Sequence, residues 1–378
     1  MILSDRNCLA AVSAAVVMLS GSQAAAQSSI LATMPDAAEP TDLRSVPAES
    51  TAAAAANPEW DPPRTSWGDP NLQGVWSSDD MRSVPMNRPE QFGMRESLTD
   101  EEFLERARRD QGAHDDPENA ASFLQHEYGI RTFGYSSMII DPPDGQMPPL
   151  TEAGEAIAAS RTRGTYGAGP FDSFEDFSLY DRCITRGPIG SILPSIYGNG
   201  VRIVQGPDYV TVTSEMIHET RVVPLDGRPE RADGIRQFPG TARGHWEGDT
   251  LVVESSGYTD RASISRVPTS DQFRLVERFT RVDPEMIEYV ATVEDPVTLT
   301  APFTFRLMLT TQPGYAVYEY DCHEGNQAVR NALAGERVYE KQVEEALANG
   351  EPIPPRATEH TQIRNGRPEE FFDINAGE

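Results

Sequence analysis

Thr241-Ala-Arg-Gly-His-Trp-Glu-Gly-Asp-Thr-Leu-Val-Val-Glu254 is the stretch whose reading decides the fold. Gly248 and Asp249 tolerate positive φ, while Leu251, Val252 and Val253 favour a pleated, half-buried backbone. The segment therefore reads as two strands joined at a tight turn. Working outward, strand-like runs recur at 201–205, 209–216, 218–223, 241–246, 250–258, 272–281, 286–294, 303–311 and 316–321. Turn residues separate them at 206–208, 224–227, 282–285 and 312–314. Phe303, Phe305, Leu307 and Leu309 fall on one face of their run, and Ile287, Tyr289, Ala291 and Val293 on one face of theirs, so each strand has a buried side. With a further strand at Gly74-Val75-Trp76 there are ten, enough for an antiparallel meander to close on itself and hide its edges. The expected fold is mainly β: an antiparallel up-and-down barrel with a long loop and helix insertion and a C-terminal helix.

Composition narrows the partners. Of 378 residues, 59 are acidic and 32 basic, a formal charge of -27, and no long basic run offers a phosphate-binding face. Nucleic acid and anionic membrane surfaces are poor partners. Lys341 is the only lysine, which rules out a phosphate loop ending in Gly-Lys-Ser/Thr and leaves a single, polar-flanked position for a Schiff base.

Residues 1–26 carry an early Arg6, an apolar run and Ala24-Ala25-Ala26, which read as a cleavable export signal. No later run reaches the ~20 apolar residues of a membrane span. The expected location is periplasmic or secreted, without membrane insertion. A signal at this position removes Cys8 and leaves Cys183 and Cys322, whose default in an oxidising compartment is a disulfide. Closing a loop of that size is worth about 4–5 kcal/mol by chain entropy.

Residues 27–58 are rich in Ala, Pro and Ser and read as a disordered linker. The barrel domain is expected over 59–325, with the insertion at about 77–200. The insertion has helices starting at the capping residues Thr99 and Thr151 and reads as a lid anchored by the disulfide. A helix over 326–350 and a loose tail over 351–378 complete the chain.

Several strings carry a resemblance: Trp67-Gly-Asp-Pro-Asn-Leu-Gln-Gly-Val-Trp76, Glu215-Met-Ile-His-Glu-Thr-Arg221, Pro224-Leu-Asp-Gly-Arg228, His245-Trp-Glu-Gly-Asp-Thr-Leu-Val-Val-Glu254, Val276-Glu-Arg-Phe-Thr-Arg-Val-Asp283 and Tyr318-Glu-Tyr-Asp-Cys-His-Glu-Gly-Asn326. Together they resemble a widespread family of exported bacterial proteins of unknown function, over about 60–330, which implies no particular chemistry. The Gly74-x-Trp76 start followed by a meander is also similar to lipocalin-type barrels, in which the indole closes the barrel floor.

Zinc-protease, Cys-x-x-Cys, nucleophile-elbow and dinucleotide signatures are all missing from the sequence, and no cofactor is expected. If 316–321 is a strand, Glu319, Asp321 and His323 alternate onto one face. His218, followed by Glu219 and Arg221, is the second candidate. His218 and His323, with Glu319 or Glu324 behind them, would form an acid–base pair. The same residues also read as solvated polar groups at strand ends. Two functions follow from the sequence: a barrel holding a small apolar or aromatic ligand, or a cofactor-free lyase, isomerase or hydrolase using the His/Glu pair. A metal-dependent variant on the two histidines is weaker, because metal ligands usually lie closer together in sequence.

Overall fold

Apolar alternation becomes a rolled sheet in the computed structural model, which describes residues 60–115, 129–160, 170–189, 191–228, 235–264 and 267–355. The expected export signal, linker and most of the tail lie outside these residues. In chain order the elements are β1 (Gly74–Ser77), α1 (Asp100–Asp115), β2 (Ile139–Asp141), α2 (Glu152–Ser160), β3 (Gly200–Gly206), β4 (Tyr209–Ser214), β5 (Thr220–Pro224), β6 (Thr241–Glu247) and β7 (Thr250–Ser256). There follow β8 (Ser263–Ile264), β9 (Val267–Pro268), β10 (Arg274–Asp283), β11 (Met286–Glu294), β12 (Phe303–Thr310), α3 (Cys322–Gly325) and α4 (Ala328–Asn349). Both insertion helices start at their expected caps. Thr99 and Glu102 exchange side-chain and backbone hydrogen bonds ahead of α1, and the Thr151 hydroxyl accepts from Gly154 N at 3.0 Å ahead of α2.

The main sheet is antiparallel, in the order β5-β4-β3-β1-β12-β11-β10-β7-β6, with β2 also paired to β12. Neighbours in this order are neighbours in sequence, except that the first strand sits between the third and the last. That is the order of an up-and-down ring cut once, between β5 and β6. The cut has a reason in parity. Every pairing along the path is antiparallel, so over nine strands direction alternates and the two end strands point the same way. β5 and β6 lie side by side, yet could pair only in parallel, the slanted and slightly less stable ladder. Among the described residues no backbone ladder joins them.

The expectation of a tenth strand fails at 316–321, which is irregular. The free edge of β12 is already taken, by β1 at Ser77↔Thr310 and by β2 at Phe305↔Ile139. A further strand after β12 would find no partner there, and an odd count remains.

Side chains stitch the open seam instead. Val223 of β5 and Leu225 lie over Gly244 of β6, where an added Cβ would come within 2.7 Å of both. Arg221, in phase with Val223, reaches across the interior to Glu277 of β10, with Nη1 to Oε2 at 2.6 Å and Nη2 to Oε1 at 2.8 Å. Their side chains are 10% and 0% exposed. The inward positions of β6 are the small Ala242 and Gly244. Tyr289 Oη donates to the same carboxylate at 2.8 Å. Burial alone would weaken the hold of Arg221 on its proton, but the Glu277 charge and hydrogen bonds outweigh that and strengthen it.

Elsewhere the interior is filled rather than hollow. Phe273, Phe279, Tyr289, Phe303 and Phe305 are buried, as are the alternating positions Ile287, Ala291, Val293, Leu307 and Leu309 expected to face inward. Trp76 is 1% exposed, its Nε1 donates to Leu72 O at 3.0 Å, and the Arg281 guanidinium lies 5.3 Å from its ring centre. Gly74 makes room for the indole, since a Cβ there would lie 3.2 Å from Trp76 Nε1. Trp76→Ala should therefore lower stability by about 3–5 kcal/mol in chemical denaturation. A loss below about 1 kcal/mol would show that the indole does not close the core.

Candidate functional site

The residues singled out from the sequence gather around one covalent bond. Cys183 and Cys322 are joined by a disulfide with Cα atoms 5.8 Å apart, linking the insertion to the segment after β12. Because 316–321 is not a strand, Glu319, Asp321 and His323 do not share a sheet face. His323 and Glu324 lie on the one-turn helix α3, and both are exposed, as is Glu319. His218 is also exposed, at the end of a tight turn after β4, with Nδ1 3.2 Å from Tyr320 O. The structure thus brings His218 close to the chain that bears His323, on a surface rather than in a cavity. Among the described residues neither ring is hydrogen-bonded to a carboxylate.

Backbone strain converges on the same place. Among the described residues, the non-glycine residues with left-handed φ are Cys183 (57°), Ile217 (63°) and His218 (45°), two flanking the Glu215 turn and one in the disulfide. Such conformations cost of order 1–3 kcal/mol each and persist only where surrounding contacts enforce them. Here the disulfide, the His218–Tyr320 bond and the Thr185 Oγ1 to Glu219 Oε2 bond at 2.6 Å supply that enforcement. Glu219 is half-buried, and burial raises its pKa.

A concave site lies elsewhere, at the open seam. A cleft of ≈ 630 Å³ runs between the start of β5 and the start of β6, lined by Thr220, Arg221, Val222, Gln237, Thr241 and Arg243 among others. Arg228 and Ala242 complete its charged and apolar character. The reason for the opening is local. The strands touch at Val223 and Gly244 and part towards Thr220 and Thr241, because no ladder holds them there. Gly240, at φ 67°, lies directly over the Tyr258 ring, so close that a Cβ would come within 2.6 Å of it. Below, the Tyr258 and Ser255 hydroxyls face each other, and neither makes a well-formed hydrogen bond. Burial pushes the Tyr258 phenol up, so it stays a neutral donor beside the Arg221–Glu277 pair.

Glu277 belongs to no chemical motif of the sequence, where Arg221 stands near Glu219. The available signal was phase: Glu277 stands between Leu275 and Phe279 on the buried side of β10, and Arg221 shares its side with Val223. By contrast Arg274 and Arg278, out of phase with those apolar residues, are exposed, and Arg278 pairs with exposed Glu247 at 2.7 Å.

A third polar cluster closes one end of the sheet. Asp79 is buried, accepting from Ser77 Oγ and Asn199 Nδ2, both at 2.6 Å. Its neighbour Asp80 accepts from Thr310 Oγ1 at 2.6 Å and from Arg131 N at 2.9 Å. Nearby Glu215 accepts from the Tyr315 hydroxyl. Among the described residues no group of His, Cys, Asp or Glu has the arrangement of a metal site. The chain matches no protein-family model and no curated protein.

Burial raises the Asp79 carboxyl above its ordinary 3.8, against the pull of its hydrogen bonds. A raised folded value favours the protonated form, so its contribution is full below 3.8 and is lost as pH climbs through the folded value. Asp79→Asn has no such titration. The stability of the variant relative to wild type should therefore rise as pH climbs from 3.8 through the raised folded value and level off above it, whatever its offset. A difference independent of pH across that window in urea melts would show that Asp79 is not the desolvated acid described.

Proposed function

We propose that this is an exported binding protein for a small amphipathic anion, held in the cleft where the rolled sheet fails to close. The carrying observation is the lining. Arg221, Arg228 and Arg243 line the cleft with Val222, Pro239 and Ala242; Arg228 is held by Asp226, with Nε 2.6 Å from Oδ2, and among the described lining residues there is no carboxylate. Apolar walls with a few fixed polar groups suit a ligand with an aromatic or aliphatic body, and guanidinium groups suit its carboxylate or sulfonate. Arg221 is pre-positioned by Glu277, which limits the ordering cost of binding.

On this reading the protein is an open-seam relative of lipocalin-like barrels. Such barrels hold their ligands in the lumen, but here the aromatic side chains fill the lumen and move the site to the seam. Membership of the exported bacterial family and a periplasmic or secreted location belong to the same proposal. They rest on the sequence strings and on the N-terminal residues, while no helix among those described is long and apolar enough to cross a membrane. The acid–base alternative at His218 and His323 has less support, since both imidazoles are exposed and neither is oriented by a carboxylate.

The aromatic anion 8-anilinonaphthalene-1-sulfonate serves as a probe. It should bind saturably with enhanced fluorescence, and Arg228→Ala/Arg243→Ala should weaken it at least about tenfold, equivalent to about 1.4 kcal/mol. Unchanged affinity in the double variant, with an unchanged melting temperature, would exclude the cleft.

A further inference from the structure

Arg186 sits on the loop between Cys183 and β3, with its guanidinium 5.4 Å from the centre of the Tyr180 ring. Its Nη1 is shut off from water and has no hydrogen-bond partner. Among the described residues no carboxylate is within ion-pair distance of it. Around it stand three phenols. Tyr180 Oη and Tyr197 Oη are 3.5 Å apart, and the Tyr197 and Tyr320 rings stack with centres 6.3 Å apart at an interplanar angle of 16°. Tyr320 is held in place from two sides, by His218 Nδ1 on its carbonyl and by the disulfide two residues on. All four side chains belong to half-buried residues, so the group borders the surface.

A cation taken out of water without a counter-charge is costly, by several kcal/mol even after relaxation. A ring at 5.4 Å recovers only part of that. The phenols cannot supply the missing charge. Burial raises the Tyr180 hydroxyl far above its ordinary range and pushes Tyr320 up to about 12, so at neutral pH both are O–H donors. One cation and three phenols, two of them in contact through their hydroxyls, thus stand together without a counter-charge, at a place where the backbone is strained at Cys183 and His218.

We propose that Arg186, with the hydroxyls of Tyr180, Tyr197 and Tyr320, is a receptor for the carboxylate group of a small molecule. The guanidinium fork matches two carboxylate oxygens, and the phenols donate to the remaining lone pairs. A single negative charge neutralises the site, whereas a dianionic phosphate would leave a net charge half-buried among aromatic rings. The stacked Tyr197 and Tyr320 rings would bear on whatever carries the carboxylate. This site is separate from the seam cleft, with which it shares no lining residue. It also gives the exposed His218 a positioning role: its contact with Tyr320 O fixes the backbone from which one phenol projects.

The test uses the full mature chain with its disulfide intact and sodium acetate as the probe, titrated against sodium chloride at constant ionic strength. The melting temperature should rise saturably with acetate, because a ligand bound only by the folded state stabilises it by mass action. Arg186→Gln should abolish the acetate response, and Tyr197→Phe, which keeps the ring, should raise the half-saturating concentration several-fold. Arg274→Gln, at an exposed arginine of β10 that lines neither this site nor the seam cleft, should leave it unchanged. An equal response to chloride, or the same acetate response in wild type and Arg186→Gln, would overturn the proposal. If Arg186→Gln does not fold, Tyr197→Phe decides alone: an unshifted half-saturation point overturns it.

Discussion

Nine strands that each run opposite to their neighbours cannot close into a ring without one parallel contact, and this constraint shapes the molecule. The parallel contact falls between β5 and β6, which lie beside each other without a ladder. The Arg221–Glu277 pair crosses the interior just there, from one seam strand to the strand third from the other edge. A buried ion pair is seldom a large net source of stability, but it is highly specific in geometry, because losing either partner strands the other. Its value here is positional. It fixes how far the two edges can separate and so the shape of the cleft between them.

Several features follow from that arrangement. A glycine at Gly244 is needed for Val223 and Leu225 to seat. Three of the residues lining the cleft are arginines, Arg221 paired with Glu277 and Arg228 with Asp226. The disulfide, meanwhile, holds the chain leaving β12 against the insertion, which keeps Tyr320 beside Tyr197 and near Arg186. A sheet edge left open and a loop drawn in by a covalent bond thus give the two places where charged groups meet apolar walls.

Much of this was legible in the sequence. Period-two alternation gave eight strands of the meander correctly, and Thr99, Thr151 and the paired cysteines behaved as their chemistry required. The segment 316–321 was misleading because its tyrosines alternate as a strand would, while the edge it needed was occupied by β1 and β2, pairings that involve residues about 165–235 positions away. That single long-range competition changed an even count to an odd one. The site suffered for the same reason. His218, His323, Glu319 and Glu324 were chosen by residue type and an assumed common face, and without the strand that face does not exist. Glu277 was passed over although it occupies a buried phase between Leu275 and Phe279, where a charged residue demands a partner.

Arg221 and Glu277 act as one unit across the seam. A double-mutant cycle on unfolding free energy, with Arg221→Met, Glu277→Gln and the pair together, measures that directly. Each single change should cost about 3–5 kcal/mol by leaving a buried group uncompensated, and the double should cost well under the sum, with a coupling of about 1–3 kcal/mol. Additive losses, with a coupling within about 0.5 kcal/mol of zero, would mean that the two side chains do not hold the seam together.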